Sequence, residues 1–262
     1  MSSSKLQLPA QLEPYRKQIS ASVKPFVRIF AKADDDSALT GSKFGGTPYL
    51  PQGHAYPTGS SGQPLFLLVQ INFAEVPDLG TFPPKGLLQI YTADDNMYGL
   101  DLDDPFDQAN YKVLFFEEVD ESQGHQDLEL PDFDNFPVLR SHSLRFELQE
   151  APVSPKDQAF DECFGMPAFE FFDRFGDDKV EVRRAYARLA QGSGHKLGGY
   201  AHFSQEDPRL VQEFEEAKLL LQIDSDHQDI LWGDEGIANF FIHPEDLEER
   251  EFSEILYNWD SP

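Results

Sequence analysis

A lysine placed beside a pair of glycines occurs twice in this chain, as Gly41-Ser42-Lys43-Phe44-Gly45-Gly46 and as Gly194-His195-Lys196-Leu197-Gly198-Gly199. Glycine reaches backbone conformations closed to other residues and leaves its N–H group uncovered. Successive glycine N–H groups next to a cation are the chemistry of an anion cradle, as in phosphate-binding loops. Neither copy is a Walker loop, because each lysine precedes its glycine pair and no Gly-Lys-Ser/Thr occurs. The competing use is structural: the glycines make a bulge or a close crossing, and the lysine covers a sheet edge.

Gln70 and Gln222 interrupt two apolar runs at the same place. By period-two alternation each lies on the face of Asn72 or Asp224, opposite Val69 and Ile71 or Leu221 and Ile223. Such a stripe either lines a cleft or satisfies backbone groups of the neighbouring glycine loop. The candidate ligand-binding set is therefore Lys43, Gly45, Gly46, Gln70, Lys196, Gly198, Gly199 and Gln222. Trp232 and Asp234, in the tight turn Trp232-Gly233-Asp234-Glu235-Gly236, complete it.

Other reactive residue types give less. Cys163 is the one cysteine, which excludes an internal disulfide and any Cys-x-x-Cys motif. As a nucleophile it needs a positioned base such as His195 or His202. The seven histidines show no His-Glu-x-x-His or His-x-His spacing, so no metal is expected. Asp101 to Asp107 fails the calcium-loop pattern, since Pro105 and Phe106 take a ligand and the turn position and Lys112 stands where a glutamate is required. It reads as a solvated acidic loop, with weak calcium binding as the alternative. Arg183, Arg184 and Arg188 form a basic face that either joins Lys196 around an acidic ligand or pairs with acidic loops. No catalytic motif is recognisable and no cofactor is implied, so an enzyme is the less favoured reading.

The elements that must position these residues are mostly strands. Phe and Tyr are abundant, with 23 and 9 copies, and favour β-rich packing. Strands are expected over 25–31, 65–72, 86–92, 111–117, 143–149, 217–224, 237–243 and 252–259. Residues 9–20 carry Leu12, Tyr15 and Ile19 at helical spacing, and 179–191 is the best helix, with Val182, Tyr186 and Leu189 inward and Gly192 as its stop. Residues 155–175 are ambiguous between helix and irregular packing. A helical turn opens at Pro244, another is expected over 210–216, and 120–135 reads as an exposed acidic excursion.

Four blocks recur in order. Gly41–Gly46 matches Gly194–Gly199, Leu67–Asn72 matches Leu219–Asp224, Gly86–Tyr91 matches Gly236–Phe241, and Tyr111–Phe116 matches Phe252–Tyr257. Phe26–Ala31 corresponds to Leu144–Gln149 in the same scheme. This is an α+β, β-rich chain of mostly antiparallel sheet with a tandem duplication, its halves 1–140 and 141–262 forming one pseudo-symmetric unit. Ligand sites favour such seams.

The chain resembles the YwqG-like family, bacterial proteins of uncharacterised function. The resemblance rests on Ser42 to Pro51, Leu68 to Ile71, Leu220 to Asp224, Trp232 to Gly236 and Phe240 to Leu247. Tyr56-Pro57 stands where that family often has Trp-Pro. The resemblance implies a duplicated α+β fold and carries over no catalytic residue.

The net charge of −26 argues against nucleic acid and anionic membranes as partners. No apolar run reaches membrane-span length and the first residues lack a signal-like apolar core, so a cytoplasmic location follows by default. Two functions stand. One is a non-catalytic cytosolic binding protein that engages a protein partner, its oligomeric state open and a monomer compatible with the sequence; an immunity-type protein neutralising a basic toxin is one version. The other is an enzyme or small-molecule binder that holds an anionic ligand between Lys43 and Lys196, which requires both lysines to face one shared cleft.

Overall fold

The structure, a computed structural model, describes residues 6–120, 122, 132–210, 214–226 and 228–262. Most of the acidic excursion over 120–135, part of the expected turn over 210–216, and His227 lie outside them.

Ten strands form one antiparallel sheet in the order β10-β9-β8-β7-β1-β6-β2-β3-β4-β5. They are β1 (Lys24–Ala33), β2 (Lys43–Phe44), β3 (Phe66–Asn72), β4 (Leu87–Thr92), β5 (Tyr111–Phe116), β6 (His142–Ala151), β7 (Lys196–Gly198), β8 (Lys218–Asp224), β9 (Ile237–Ile242) and β10 (Ile255–Asp260). The repeated lysine blocks are therefore strands of the sheet, β2 and β7. The two edges curl towards each other. Tyr111 Oη donates to the Ile255 carbonyl at 2.7 Å, and Gln108 Nε2 donates to the Phe252 and Ser253 carbonyls at 3.1 and 2.9 Å. The sheet is thus nearly closed around an apolar core that draws on both halves, from Val69, Ile71 and Leu88 to Leu221, Ile223 and Phe240.

The two halves share their detail. The β3–β4 register slips between Leu67 and Val69, and the β8–β9 register slips between the equivalent Leu219 and Leu221. Lys43 pairs with Gln70 as Lys196 pairs with Gln222, and Gln70 pairs with Gln89 as Gln222 pairs with Asn239. Two of the sequence matches shift by three residues. Lys43 faces Ser143 while Lys196 faces Arg28, so Arg28 is the counterpart of Ser143. Gln89 faces Leu114 while Asn239 faces Asn258, so Leu114 is the counterpart of Asn258. Apolar alternation looks the same when slid along a strand; hydrogen-bond register removes that freedom.

The halves also exchange strands at the centre. β1 pairs with β6 along its full length and then with β7 of the second half, while β6 pairs with β2 of the first. Each half thus lends its leading strand to the other.

Helices are few among the described residues, and α1 to α4 pack together while α5 packs its Leu247 into the core of the sheet. A 3₁₀ segment (Ala10–Tyr15) runs into α1 (Arg16–Ala21), and α2 (Ala159–Phe164), α3 (Ala168–Asp173) and α4 (Lys179–Ala190) follow β6; α5 (Pro244–Glu249) links β9 to β10. Residues 152–195 join β6 to β7 and hold α2–α4, whereas only residues 34–42 join β1 to β2. The helical insert belongs to one half alone. It forms a second apolar cluster with Leu12, Ile19, Phe160, Phe171, Val182 and Tyr186. α4 buries Val182, Tyr186 and Ala190, at four-residue spacing, and leaves Leu189 half-buried. It ends at Gln191, which takes the left-handed conformation (φ 47°) in place of the expected Gly192.

Candidate functional site

The side chains singled out by type and spacing come together as two equivalent buried polar networks, one in each half. Gln70 Nε2 donates to the Leu39 and Gly41 carbonyls, both at 2.8 Å, and its Oε1 accepts from Tyr49 N–H at 2.9 Å. Gln222 Nε2 donates to the Gly192 and Gly194 carbonyls at 2.9 and 2.7 Å, and its Oε1 accepts from His202 N–H at 2.9 Å. Each amide therefore satisfies the backbone of its own glycine loop. Gln89 Nε2 donates to the Tyr49 carbonyl and Asn239 Nδ2 to the His202 carbonyl, so the next strand completes both networks. Ser42 and His195 are likewise equivalent: Ser42 Oγ accepts from Asn72 N–H, and His195 Nδ1 from Asp224 N–H.

The lysines are interior. Lys43 is 1% exposed and Lys196 2%. Lys43 Nζ donates to the Ala38, Leu39 and Thr47 carbonyls at 2.6, 3.3 and 3.1 Å. Lys196 Nζ donates to the Gly192 carbonyl at 2.7 Å. The neighbouring carbonyls of that second loop go to Arg28, which donates to Ser193 at 2.5 Å and to Gln191 at 3.1 Å. Burial pulls the Lys43 ammonium down to about 8 and that of Lys196 to about 7, where Arg28 lowers it further. Burial also holds His195 and His202 at about 4, so both imidazoles are neutral near pH 7.

One shared cleft lined by Lys43 and Lys196 is therefore not what forms. β1 and β6 stand between β2 and β7, and each ammonium is turned into its own loop. Neither lysine covers a sheet edge either. The glycine pairs serve the close crossings: all four have φ between 63° and 74°. A Cβ on Gly46 would lie 2.6 Å from Ser141 Oγ, and one on Gly199 would lie 2.7 Å from Phe26 Cβ. Gly198 is covered by Leu79 and Phe82. Trp232 is fully buried, ring-on-edge against Tyr98, while Asp234 sits exposed on the following turn, so those two do not converge.

The remaining candidates are likewise accounted for by local structure. Cys163 lies on α2, half-buried, and burial pushes its thiol up rather than activating it. Asp101, Asp104 and Asp107 accept from nearby backbone N–H groups, and no group of three side chains able to hold a metal occurs among the described residues. Arg209 is buried between Asp157 and Asp207 at 2.9 and 2.6 Å and donates to the Ala217 carbonyl, a knot that ties α2 to β8.

A family model described as a domain of unknown function, DUF1963, matches residues 42–261. The chain belongs to this family. The match begins within the first lysine block, so β1, which fills the centre of the sheet, precedes it. No curated protein matches the chain.

Sequence reasoning missed a groove on the helical insert. It encloses about 400 Å³ between α3 and α4, with Ala168, Phe169, Phe172 and Val180 as its apolar surface and Lys156, Lys179 and Arg183 around it. Phe169 is 67% exposed and Val180 53%, whereas Phe172 is buried. Asp173, the carboxylate in the lining, bonds Lys179 at 2.8 Å, and Lys156 Nζ donates to the Ser204 and Gln205 carbonyls. Arg183, Arg184 and Arg188 are exposed and enter no ion pair among the described residues. They do not meet Lys196, whose Nζ is buried on Gly192. The one available signal was this run of arginines in so acidic a chain.

Proposed function

We propose that the protein is a non-catalytic cytoplasmic binding module, YwqG-like in kind, that engages a protein partner through its helical insert. The observation that carries this is the division of labour between repeat and insert. The repeated lysines, glutamines and glycines are spent on holding two copies of one scaffold together. The insert is present once, and it bears exposed Phe169 and Val180 beside unpaired arginines. Function commonly resides in what is grafted onto a scaffold, and exposed apolar groups with a polar rim mark interaction surfaces. The immunity-type version, capture of a basic toxin, draws on the net charge of −26 alone.

The test is affinity capture from the source organism with the wild type and with a Phe169→Asp, Arg183→Glu double variant. One enriched protein that the variant loses is the expected result. Repeated captures without enrichment, or enrichment that the variant retains, overturn the reading.

A further inference from the structure

We infer that the α3–α4 groove docks an acidic segment of its protein partner, one carrying an apolar anchor side chain. This rests on the binding reading above and adds the chemistry of what is bound. With 47 acidic against 21 basic residues, most of the surface repels acidic molecules. A basic strip there serves either internal pairing or an outside anion. Internal pairing is not in use: Arg183, Arg184 and Arg188 stand exposed without an ion pair among the described residues. Arg184 and Arg188 are one turn apart on α4, so they extend the positive edge along the helix beyond the groove.

The apolar part is local. Phe169 and Val180 flank Phe172 at the groove, a space of about 400 Å³ that suits a large side chain and its neighbours. An apolar anchor seated there displaces water from both exposed side chains. Carboxylates on either side of it then meet arginines, whose planar guanidinium pairs with carboxylate in two-point fashion. A basic segment finds no partner in these arginines, and the exposed Asp177, Asp178 and Glu181 nearby are what it would meet instead. The cations do not converge on a buried point either, so a small free anion lacks the enclosed site it needs. An extended acidic segment uses the whole strip.

The test uses a fluorescein-labelled peptide of alternating Asp and Glu with one central Phe, followed by fluorescence anisotropy with the full-length protein at low and physiological salt. Saturable binding that weakens with salt is the expected result. Affinity should fall about tenfold or more when Arg183 and Arg184 are both changed to Glu, and comparably with Phe169→Asp or with Ser in place of the peptide's Phe. These positions are exposed, and unchanged thermal melting of the variants confirms folding. Absence of saturable binding, equal binding of a lysine-for-acid peptide, or binding unaffected by the variants overturns the inference. Sedimentation covers the other occupant. If the wild type self-associates and the same variants abolish it, the groove takes a second copy of this chain and the inference fails. Failure of the peptide while capture remains groove-dependent overturns the acidic chemistry alone; failure of both removes the binding reading as well.

Discussion

Lys43 and Lys196 occupy equivalent places and are held differently, which makes their substitutions informative. Lys43 Nζ serves three carbonyls, of which Leu39 also keeps Gln70 and Ala38 also keeps the Gly41 N–H. Lys43→Met strips one donor from each of these two, leaves the Thr47 carbonyl without this partner, and should destabilise by about 1–3 kcal/mol. Lys196 serves one, beside the cation of Arg28, and its ammonium gains less from the fold. Lys196→Met should cost under about 1 kcal/mol at neutral pH, because an apolar chain of similar length removes a buried charge. Urea unfolding of the two variants checks the order; equal losses would contradict it. The pH dependence follows the same residues. Between about 7 and 10.5 the unfolded chain holds a proton on Lys196 that the folded chain releases, so stability rises with pH across that window. Lys196→Met should remove its share of this rise and leave that of Lys43, which runs between about 8 and 10.5. His195 and His202 act at lower pH: each is neutral when folded down to about 4, against 6.5 when unfolded, so stability falls as pH drops from 6.5 towards 4. Unfolding free energies that stay level over that interval would show that these imidazoles are not buried neutral.

At the scale of elements, the glycine pairs set the loops that follow β2 and β7. Gly199→Ala meets both a positive φ and the fixed Cβ of Phe26 at 2.7 Å, so it should cost more than about 2 kcal/mol. Gly46→Ala meets the rotatable Ser141 Oγ and should cost less, and Gly165→Ala, with open space around it, should cost about 1 kcal/mol from the left-handed backbone alone. Thermal melts of the three should fall in that order. The duplication behind this symmetry was legible because Gly-x-Lys-apolar-Gly-Gly demands residue types that few other sequences tolerate. The strand exchange was not: nothing in Phe26–Ala31 records that β1 will lie between β6 and β7, since alternation fixes a face and not a neighbour. Phe-rich 155–175 resisted reading for a related reason, as α2 and α3 bury phenylalanines against α1 and α4 from several directions and leave no clean stripe. Gln70 and Gln222 interrupt their apolar runs at the same place, and each bonds the backbone of its own glycine loop. The groove left no motif because Phe169, Val180 and Lys156 come from separate segments.

Over the whole molecule, symmetry describes the scaffold, and the departure from it is the helical insert, whose eight carboxylates and six Lys and Arg residues leave it closer to neutral than the chain as a whole. The sheet carries two copies of a polar network that hold β2 and β7, while a basic strip without ion pairs and Phe169, the most exposed phenylalanine among the described residues, sit together on α3 and α4. Stability and binding therefore reside in different parts of the molecule under the proposed function. The most direct measurement compares Phe169→Asp with Arg183→Glu in one protein and Gln222→Leu in another, scoring melting temperature and partner capture for both. The groove variant should melt like the wild type and lose the partner. Gln222→Leu, which strips donors from the Gly192 and Gly194 carbonyls, should melt lower and keep the partner at temperatures where it is folded. A groove variant that retains the partner, or a folded Gln222→Leu that loses it, would contradict the account.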